Sequence, residues 1–267
     1  MKHPILACCN FHPTAADLKE FTLEHGFGGI DWTITLDKVP ANAAAEAELV
    51  RAIASLAPLE VRYHLAFQGV DLGDEDPDKA KQARRVFTQA VRLISKLGGR
   101  VVTIHIGGLG RDSSSDLCWP TALEGLQGLV QFANRWRVRL CVENLAWGWT
   151  SRPELFEKLL RLSGAWATLD LGHAQVSPVV QSGLYRVKDF VAPHPDRFVN
   201  AHIYHEENDH GHEPPADVSD LEPRLRLVGS LPRCDWWVLE LREEEALLKT
   251  LAVITEYFRL RDHGREV

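Results

Sequence analysis

Short apolar segments alternate along the chain with longer amphipathic ones. The apolar segments are rich in β-branched and aromatic residues and close to continuously apolar, as is typical of strands that are covered on both faces. The eight segments are PILACCN (4–10), GGIDWTI (28–34), LEVRYHLAF (59–67), RVVTIHIGG (100–108), VRLCVEN (138–144), WATLDLGHA (166–174), RFVNAHIYH (197–205) and DWWVLELRE (235–243). This alternation predicts parallel strands that are joined by helices.

Several of the intervening segments carry recognisable helix ends. Thr14 can cap a helix with Asp17 three residues later, and Gly26 follows the last turn. Pro77 and Pro153 stand where two further helices are expected to begin. The helix that starts at Pro77 is expected to bury one apolar face, made of Ala80, Ala83, Phe87, Ala90, Val91, Ile94 and Leu97.

The number of strands and the chain length together predict a fold class. Eight strands that alternate with helices within 267 residues favour an α/β protein with a single (β/α)₈ TIM barrel, and we expect one domain over residues 1–267. An open doubly wound sheet is the alternative. No GxGxxG follows the first strand, which disfavours the dinucleotide-binding form of that alternative.

Composition and charge narrow the possible partners. The net charge of −7 and the lack of a Lys/Arg run disfavour nucleic acid and anionic membranes as partners. The five cysteines are odd in number and show no CxxC spacing, which suits a reducing compartment. The first residues lack a secretion signal, and no segment approaches the roughly 20 apolar residues of a membrane helix. We therefore expect a soluble cytoplasmic protein, whose oligomeric state the sequence leaves open.

Ionisable side chains interrupt several of the predicted strands near their ends. They are Glu143, Asp170, His202 and Glu240, with His64 and His105 on earlier strands and His173 just after Asp170. In a TIM barrel these strand ends meet at the active face. Three buried carboxylates repel one another, and each costs several kcal/mol without a partner. A divalent ion bound by carboxylates and imidazole removes that cost, so the pattern predicts a metal site.

Each of these residues also has an ordinary structural interpretation. A glutamate at a strand end is often solvated, and a single histidine such as His64 is often a core residue. Asp170 can cap the helix that follows it, and Arg242 can form a surface ion pair with Glu243. The metal interpretation is favoured because a single site explains why several consecutive strands each carry an ionisable residue near their end, whereas the structural interpretations need a separate explanation for each residue.

The chain resembles the xylose isomerase-like TIM barrel superfamily, which includes sugar isomerases and epimerases, hydroxypyruvate isomerases, inosose dehydratases and endonuclease IV. The resemblance spans nearly the whole chain and is most specific in VVTIHIGG, LCVENLAWGWTSRPELFEKLL, ATLDLGHA and HIYHEENDHGHEPP. It implies that Glu143, Asp170, His202 and Glu240 hold the metal ion. Mn²⁺ or Zn²⁺ is expected first, with Co²⁺ and Mg²⁺ as alternatives.

Resemblance to endonuclease IV, which holds three zinc ions, implies further ligands. The matching positions are His64, His105, His173, His210 and His212. The family usually has an acidic residue where this chain has His210, a departure that leaves a third ion open. We expect His205 and the pair Glu206–Glu207 to lie on the rim of the site.

The expected activity is that of a metal-dependent isomerase or epimerase of a sugar or a sugar-like hydroxy-ketone. The resemblance implies that Glu143 and Glu240 act as base and acid, while His173 and Arg242 are candidates for binding substrate hydroxyl and anionic groups. The alternatives are a multi-zinc phosphodiesterase that acts on damaged DNA, which the acidic charge disfavours, and a non-catalytic barrel that binds a small ligand. The sequence does not choose among isomerisation, epimerisation and dehydration.

The loops that would set substrate specificity contain four candidate aromatic residues. They are Trp32, Phe67, Trp147 and Trp149. Each can either face a sugar ring or pack against a helix, and the sequence does not distinguish these two roles.

Overall fold

A closed barrel of eight parallel strands forms the centre of the protein. The computed structural model describes residues 3–108 and 116–264. The barrel strands are β1 (Ile5–Cys9), β2 (Gly29–Thr35), β3 (Glu60–Ala66), β4 (Val101–Ile104), β5 (Arg139–Glu143), β6 (Trp166–Asp170), β7 (Phe198–Ile203) and β10 (Trp236–Leu239). Neighbours along the chain pair in order, and β10 pairs with β1 to close the barrel. The predicted TIM barrel and its eight strands are confirmed.

A short hairpin interrupts the regular alternation after β7. Its strands, β8 (Glu206–Asn208) and β9 (Gly211–Glu213), are antiparallel and belong to a separate two-stranded sheet. The sequence analysis did not predict this hairpin, because its polar residues lack the alternation of apolar and polar side chains that marks a strand.

Helices surround the barrel, and the three helices with predicted start signals at Thr14, Pro77 and Pro153 begin at or directly after those positions. They are α1 (Ala15–Glu24), α2 (Ala43–Ser55), α3 (Pro77–Lys96), α4 (Trp119–Arg135), α5 (Pro153–Ser163), α6 (Leu171–Val176), α7 (Pro178–Gln181), α8 (Val218–Gly229) and α9 (Glu244–Asp262). The Thr14 hydroxyl accepts a hydrogen bond from the backbone N–H of Asp17 at 3.1 Å, as the capping pattern predicts. Among the described helices, none combines the length and the apolar composition that a membrane span requires.

Inward-facing side chains fill the lower half of the barrel. A layer of hydrogen bonds joins three strands, since the hydroxyls of Thr103 and Thr168 lie 2.8 Å apart and the Asn200 amide donates to both. Below this layer, the buried Arg62 donates to the carbonyl of Val199 and to Asn200, and its guanidinium lies 4.7 Å from the Trp236 ring. The floor is thus packed, and the polar side-chain groups of Arg62, Thr103, Thr168 and Asn200 are paired.

The same strands carry the ionisable residues one step higher. Successive inward positions on a strand are two residues apart. Thr168 therefore lies directly below Asp170 on β6, and Asn200 lies directly below His202 on β7. The packed layer fixes the height and direction of the groups above it.

Close contact between α6 and the buried Tyr204 gives a stability prediction. A Cβ added at Gly172 would lie 2.0 Å from the Tyr204 ring. Gly172→Ala is expected to lower the free energy of unfolding by about 1–3 kcal/mol, because the ring is fully buried and must move. Urea unfolding measures this change.

The matched control is Gly128→Ala in α4, where an added Cβ meets no described atom within 4 Å. Both glycines are helical, so both variants share the gain of up to about 1 kcal/mol in helix propensity. The control is expected to be neutral or stabilising. Equal stability of the two variants would contradict the contact between Gly172 and Tyr204.

Candidate metal centre

Four ionisable side chains from four strands meet inside the upper end of the barrel. Glu143 ends β5, Asp170 ends β6, His202 lies in β7, and Glu240 directly follows β10. Each is buried, and one donor atom from each lies within 4.8 Å of the other three. The structure therefore brings together the four residues that the sequence analysis selected as metal ligands.

The Nδ1 atom of His202 faces all three carboxylates. It lies 2.7 Å from Glu240 Oε2, 3.4 Å from Glu143 Oε1 and 3.7 Å from Asp170 Oδ2. Despite these ion-pair contacts, His202 Nδ1 and the three carboxylate oxygens lack a well-aligned hydrogen bond to any described residue. Because buried polar atoms are normally hydrogen-bonded, this set of inward-facing nitrogen and oxygen donors fits a divalent ion.

Charges within the cluster shift the pKa values strongly. Burial raises the pKa of Glu143, but His202 and His105 outweigh that effect and hold the pKa well below its usual range. Burial acts in the same direction on Glu240, and His202 and His64 again hold the pKa well below its usual range. Burial alone would lower the pKa of His202, yet Glu240 and Glu143 raise it well above its usual value. The free site is thus an array of carboxylates balanced by imidazolium groups.

Asp170 has a structural role as well as an inward-facing oxygen. Its Oδ1 accepts a hydrogen bond from the backbone N–H of His173 at 2.7 Å and so caps α6, while Oδ2 faces the cluster. The Asn144 side chain pairs with the Asp170 backbone through bonds of 2.8 and 2.9 Å. The capping role is therefore present, and it leaves Oδ2 available as a candidate metal ligand. The sequence analysis did not select Asn144, although it directly follows Glu143.

Two histidines extend the cluster on one side. The Nε2 atoms of His64 and His105 lie 2.9 Å apart, and Glu143 Oε2 lies 3.4 and 3.3 Å from them. Burial tends to lower the pKa of His64, but Glu240 and Glu143 raise it overall. Burial lowers the pKa of His105 despite the nearby Glu143. These three residues form a second group that could hold an ion.

A third possible ligand group lies nearer the rim. Glu207 Oε2 lies 3.0 Å from His212 Nε2 and 4.0 Å from His173 Nε2. His212 donates its Nδ1–H to the backbone carbonyl of Glu240, which leaves Nε2 to face Glu207. The buried Tyr204 ring stacks on His212 with centroids 3.9 Å apart. The ring of His212 is therefore held in one orientation.

The carboxylates also shift the pKa values of the rim histidines. Burial lowers the pKa of His173, but Asp170 and Glu143 raise it to about 10. Burial acts likewise on His212, whose pKa Glu207 and Glu240 raise to about 9. Negative charge thus reaches from the buried cluster up to the rim.

The β8–β9 hairpin explains why the positions of Glu207, expected on the rim, and His210, expected among the further ligands, differ from the expectations. Strand β8 turns Glu207 inward, so it joins His173 and His212 instead of lying apart on the rim. His210 lies exposed at the turn between β8 and β9 and belongs to none of the ligand groups among the described residues. His205 instead contacts the buried Arg224 at 3.1 Å. Side-chain directions in such a turn depend on a hairpin that the sequence did not reveal.

Asp31 on β2 is a further buried carboxylate that the sequence analysis did not select. It is 1% exposed, and one of its oxygens lies within 4.8 Å of a ring nitrogen of His64 and of His202. Burial raises the pKa of Asp31, and His202 and His64 offset that effect only in part. The one sequence feature that could have identified Asp31 is that an acidic residue interrupts the apolar strand segment GGIDWTI, two residues after Gly29.

A cavity of about 560 Å³ opens above the cluster. Its lining includes Thr33, His64, Gln68, His105, Glu143, Leu145, Ala146, Trp147, His173, Glu207, His212, Glu240 and Arg242. Arg242 is exposed and supplies the one Lys or Arg side chain among the described lining residues. Of the four aromatic residues considered for specificity, Trp147 lines this cavity, whereas the Trp149 ring lies 5.2 Å from the Trp119 ring.

Known proteins share this fold. A D-tagatose 3-epimerase-like protein superposes with a TM-score of 0.73 at 15% identity, over 98% of this chain and 99% of the other. Endonuclease IV from Thermus thermophilus gives a TM-score of 0.68 at 18% identity, over 96% of this chain and 99% of the other. At these identities the two likenesses establish the fold alone.

Sequence comparison gives a further relative and the family. The uncharacterized protein MJ0008 of Methanocaldococcus jannaschii is 27% identical over 171 residues, which are 63% of this chain and 71% of that protein. The xylose isomerase-like TIM barrel family matches residues 20–257, a span that contains all four buried donors of the cluster. The chain belongs to the xylose isomerase-like TIM barrel family.

Proposed function

We propose that the protein is a divalent-metal-dependent isomerase or epimerase of a small sugar-like hydroxy-ketone or hydroxy-aldehyde. The observation that carries this proposal is the convergence of Glu143, Asp170, His202 and Glu240 at the base of a cavity of about 560 Å³. Cavities of a few hundred Å³ suit small molecules. The structural likeness to a D-tagatose 3-epimerase-like protein supports the same substrate class.

The four buried residues would hold the ion. Their donor set of three carboxylates and one imidazole suits Mn²⁺ or Zn²⁺, with Co²⁺ and Mg²⁺ as alternatives. When bound, such an ion polarises a substrate carbonyl and thereby acidifies the neighbouring C–H. The chain itself supplies the groups that bind the substrate and move its protons.

Glu143 and Glu240 are the proposed acid and base. Both have strongly lowered pKa values because of the neighbouring histidines, so both are ionised in the free protein, as a general base must be. Returning a proton to the opposite face of the same carbon needs one of them to carry a proton. His64 Nδ1, at 3.6 Å from Glu240 Oε1, is placed to supply it.

Other lining residues suit a hydroxylated substrate. His173 and Gln68 offer polar groups for substrate hydroxyls, and Trp147 offers an apolar surface for the carbon face of a sugar. Arg242 is the lining group that could bind a carboxylate or phosphate at the outer end of the substrate.

The second candidate function is a multi-metal phosphodiesterase. The specific observation in its favour is the pair of additional ligand groups, His64–His105–Glu143 and His173–Glu207–His212. Multi-ion sites suit phosphodiester cleavage, and the likeness to endonuclease IV points the same way. The net charge of −7 and the single basic residue among the described lining residues disfavour a DNA substrate, so this candidate ranks second.

Ion binding at the buried residues gives a prediction about thermal stability. An ion present at about 100 times its dissociation constant stabilises the fold by about 2.7 kcal/mol, equivalent to a rise in Tm of about 5–10 °C for a protein of this size. Asp170→Asn is expected to abolish most of this rise because Oδ2 loses its charge. Differential scanning fluorimetry with and without Mn²⁺ or Zn²⁺ measures it.

Asp217→Asn is the matched control, because Asp217 also caps a helix but is exposed at the start of α8. Asparagine caps helices as well as aspartate does, so neither variant is expected to unfold. The ion should stabilise the Asp217 variant as it does the wild type. A full ion-induced rise in the Asp170 variant would contradict the proposed ligand set.

Proton exchange tests the acid–base assignment. Wild-type protein supplied with Mn²⁺ is expected to exchange the carbon-bound proton next to the carbonyl of a ketose in D₂O, as followed by NMR. Glu240→Gln is expected to slow this exchange at least about 100-fold, because the amide cannot take up the proton. Glu124→Gln, on the exposed side of α4, is the control and should exchange at the wild-type rate. An unchanged exchange rate in the Glu240 variant would contradict the assignment of Glu240 as an acid–base residue.

Ion counting combined with hydrolysis separates the two candidate functions. The isomerase proposal expects no cleavage of bis(p-nitrophenyl) phosphate or of an abasic-site duplex by Zn²⁺-supplied protein. The phosphodiesterase candidate expects cleavage, two or three ions per chain, and the loss of both one ion and cleavage in His105→Ala. Elemental analysis of the purified wild type and variant gives the count, and this second outcome would replace the isomerase proposal.

A further inference from the structure

The carboxylate of Asp31 lies inside the barrel without a well-aligned hydrogen bond to another described residue. Asp31 is 1% exposed, and both of its oxygens are shielded from solvent. Burial raises the pKa of Asp31, and the nearby indole N–H of Trp236 acts in the opposite direction, although it forms no hydrogen bond of ordinary geometry with the carboxylate. Arg62, its neighbour in register on β3, bonds instead to Asn200 and Asp235 at the floor. A carboxylate buried in this way destabilises a fold, so the floor of the barrel gives no structural reason for it.

Two histidines of the metal centre are the cationic neighbours of Asp31. One Asp31 oxygen lies within 4.8 Å of a ring nitrogen of His64 and of His202. The Nδ1 of His202 faces the three carboxylates of the buried cluster. Its other ring nitrogen, Nε2, is also buried and has no hydrogen-bond partner among the described residues. An unpaired carboxylate and an unpaired imidazole nitrogen therefore lie in the same part of the interior.

We propose that Asp31 is a positioning residue that orients His202 for metal binding, an inference that rests on the proposed function. By accepting the Nε2–H of His202, directly or through one water molecule, Asp31 fixes the tautomer in which Nδ1 carries the free lone pair. A metal-binding imidazole commonly donates its second N–H to a carboxylate, which also makes the ring a better ligand. The negative charge of Asp31 additionally favours a cation nearby.

This role predicts that removing the Asp31 charge weakens ion binding but raises the thermal stability of the metal-free protein. Asp31→Asn keeps the shape of the side chain but removes the charge. The variant is expected to bind Mn²⁺ or Zn²⁺ about 10–100-fold more weakly with an unchanged number of ions per chain. The metal-free variant is expected to have a higher Tm than the metal-free wild type, because His202 and His64 offset only part of the cost of burying the Asp31 charge, and its oxygens have no hydrogen-bond partner among the described residues. Isothermal titration calorimetry and scanning calorimetry measure the two effects.

Asp71→Asn is the matched control for the effect on Tm. Asp71 is a partly buried carboxylate whose oxygens accept hydrogen bonds from the backbone N–H groups of Gly73, Gly107 and Gly108. The same substitution there is expected to lower the Tm of the metal-free protein. Opposite signs at the two positions show that the gain at Asp31 comes from its lack of partners.

The ring-nitrogen chemical shifts of His202 in the Zn²⁺-loaded protein give a readout that a purely structural role would not move. The wild type is expected to show a single Nε2–H tautomer, which the Asp31 variant loses. Equal ion affinity in wild type and variant would overturn this inference alone. Loss of one bound ion per chain would also overturn it, because Asp31 would then be a ligand. A wild type that binds no divalent ion would overturn the proposed function as well.

Discussion

The stability of the upper half of this barrel depends on positive charge that compensates several carboxylates shielded from water. Glu143, Asp170 and Glu240 are buried within a few ångströms of one another, and the buried Asp31 lies within 4.8 Å of ring nitrogens of His64 and His202. In the free protein, positive charge comes from His202, His64 and His173, whose pKa values the carboxylates raise. A divalent ion would concentrate compensating charge at one point and release these histidines from that role, so binding of the proposed ion would be coupled to proton release.

The division of the barrel into two halves makes this balance possible. The lower half is packed, and its polar groups Arg62, Thr103, Thr168 and Asn200 bond to one another or to the backbone. Because the strands that carry this layer also carry the ionisable residues above it, the side chains of the metal centre rise from a rigid base. Repulsion among the carboxylates therefore cannot be relieved by moving the strands apart. It is relieved instead by binding protons or a cation.

Much of the fold and of the buried cluster could be predicted from the sequence. Continuous apolar strands are local signals, and ionisable residues at their ends meet wherever parallel strands close into a barrel, so Glu143, Asp170 and His202 were selected. Glu207 was missed because its direction depends on the β8–β9 hairpin, whose residues are polar on every side. Asp31 was missed because a single acid early in a strand gives no sign of which layer it will occupy. Both depend on tertiary geometry that composition and spacing do not record.

The two oxygens of Glu143 face two different groups of histidines, and this arrangement would tie the proposed reaction to the number of bound ions. Oε1 lies 3.4 Å from His202 and 3.4 Å from His173, while Oε2 lies 3.4 Å from His64 and 3.3 Å from His105. With an ion at the buried four residues alone, Oε2 would stay free to accept a proton. With a second ion between His64 and His105, both oxygens would be ligands and Glu143 could no longer act as a base. The proposed isomerase and the alternative phosphodiesterase would thus use Glu143 in mutually exclusive ways, and an ion at the His64–His105–Glu143 group would decide between them.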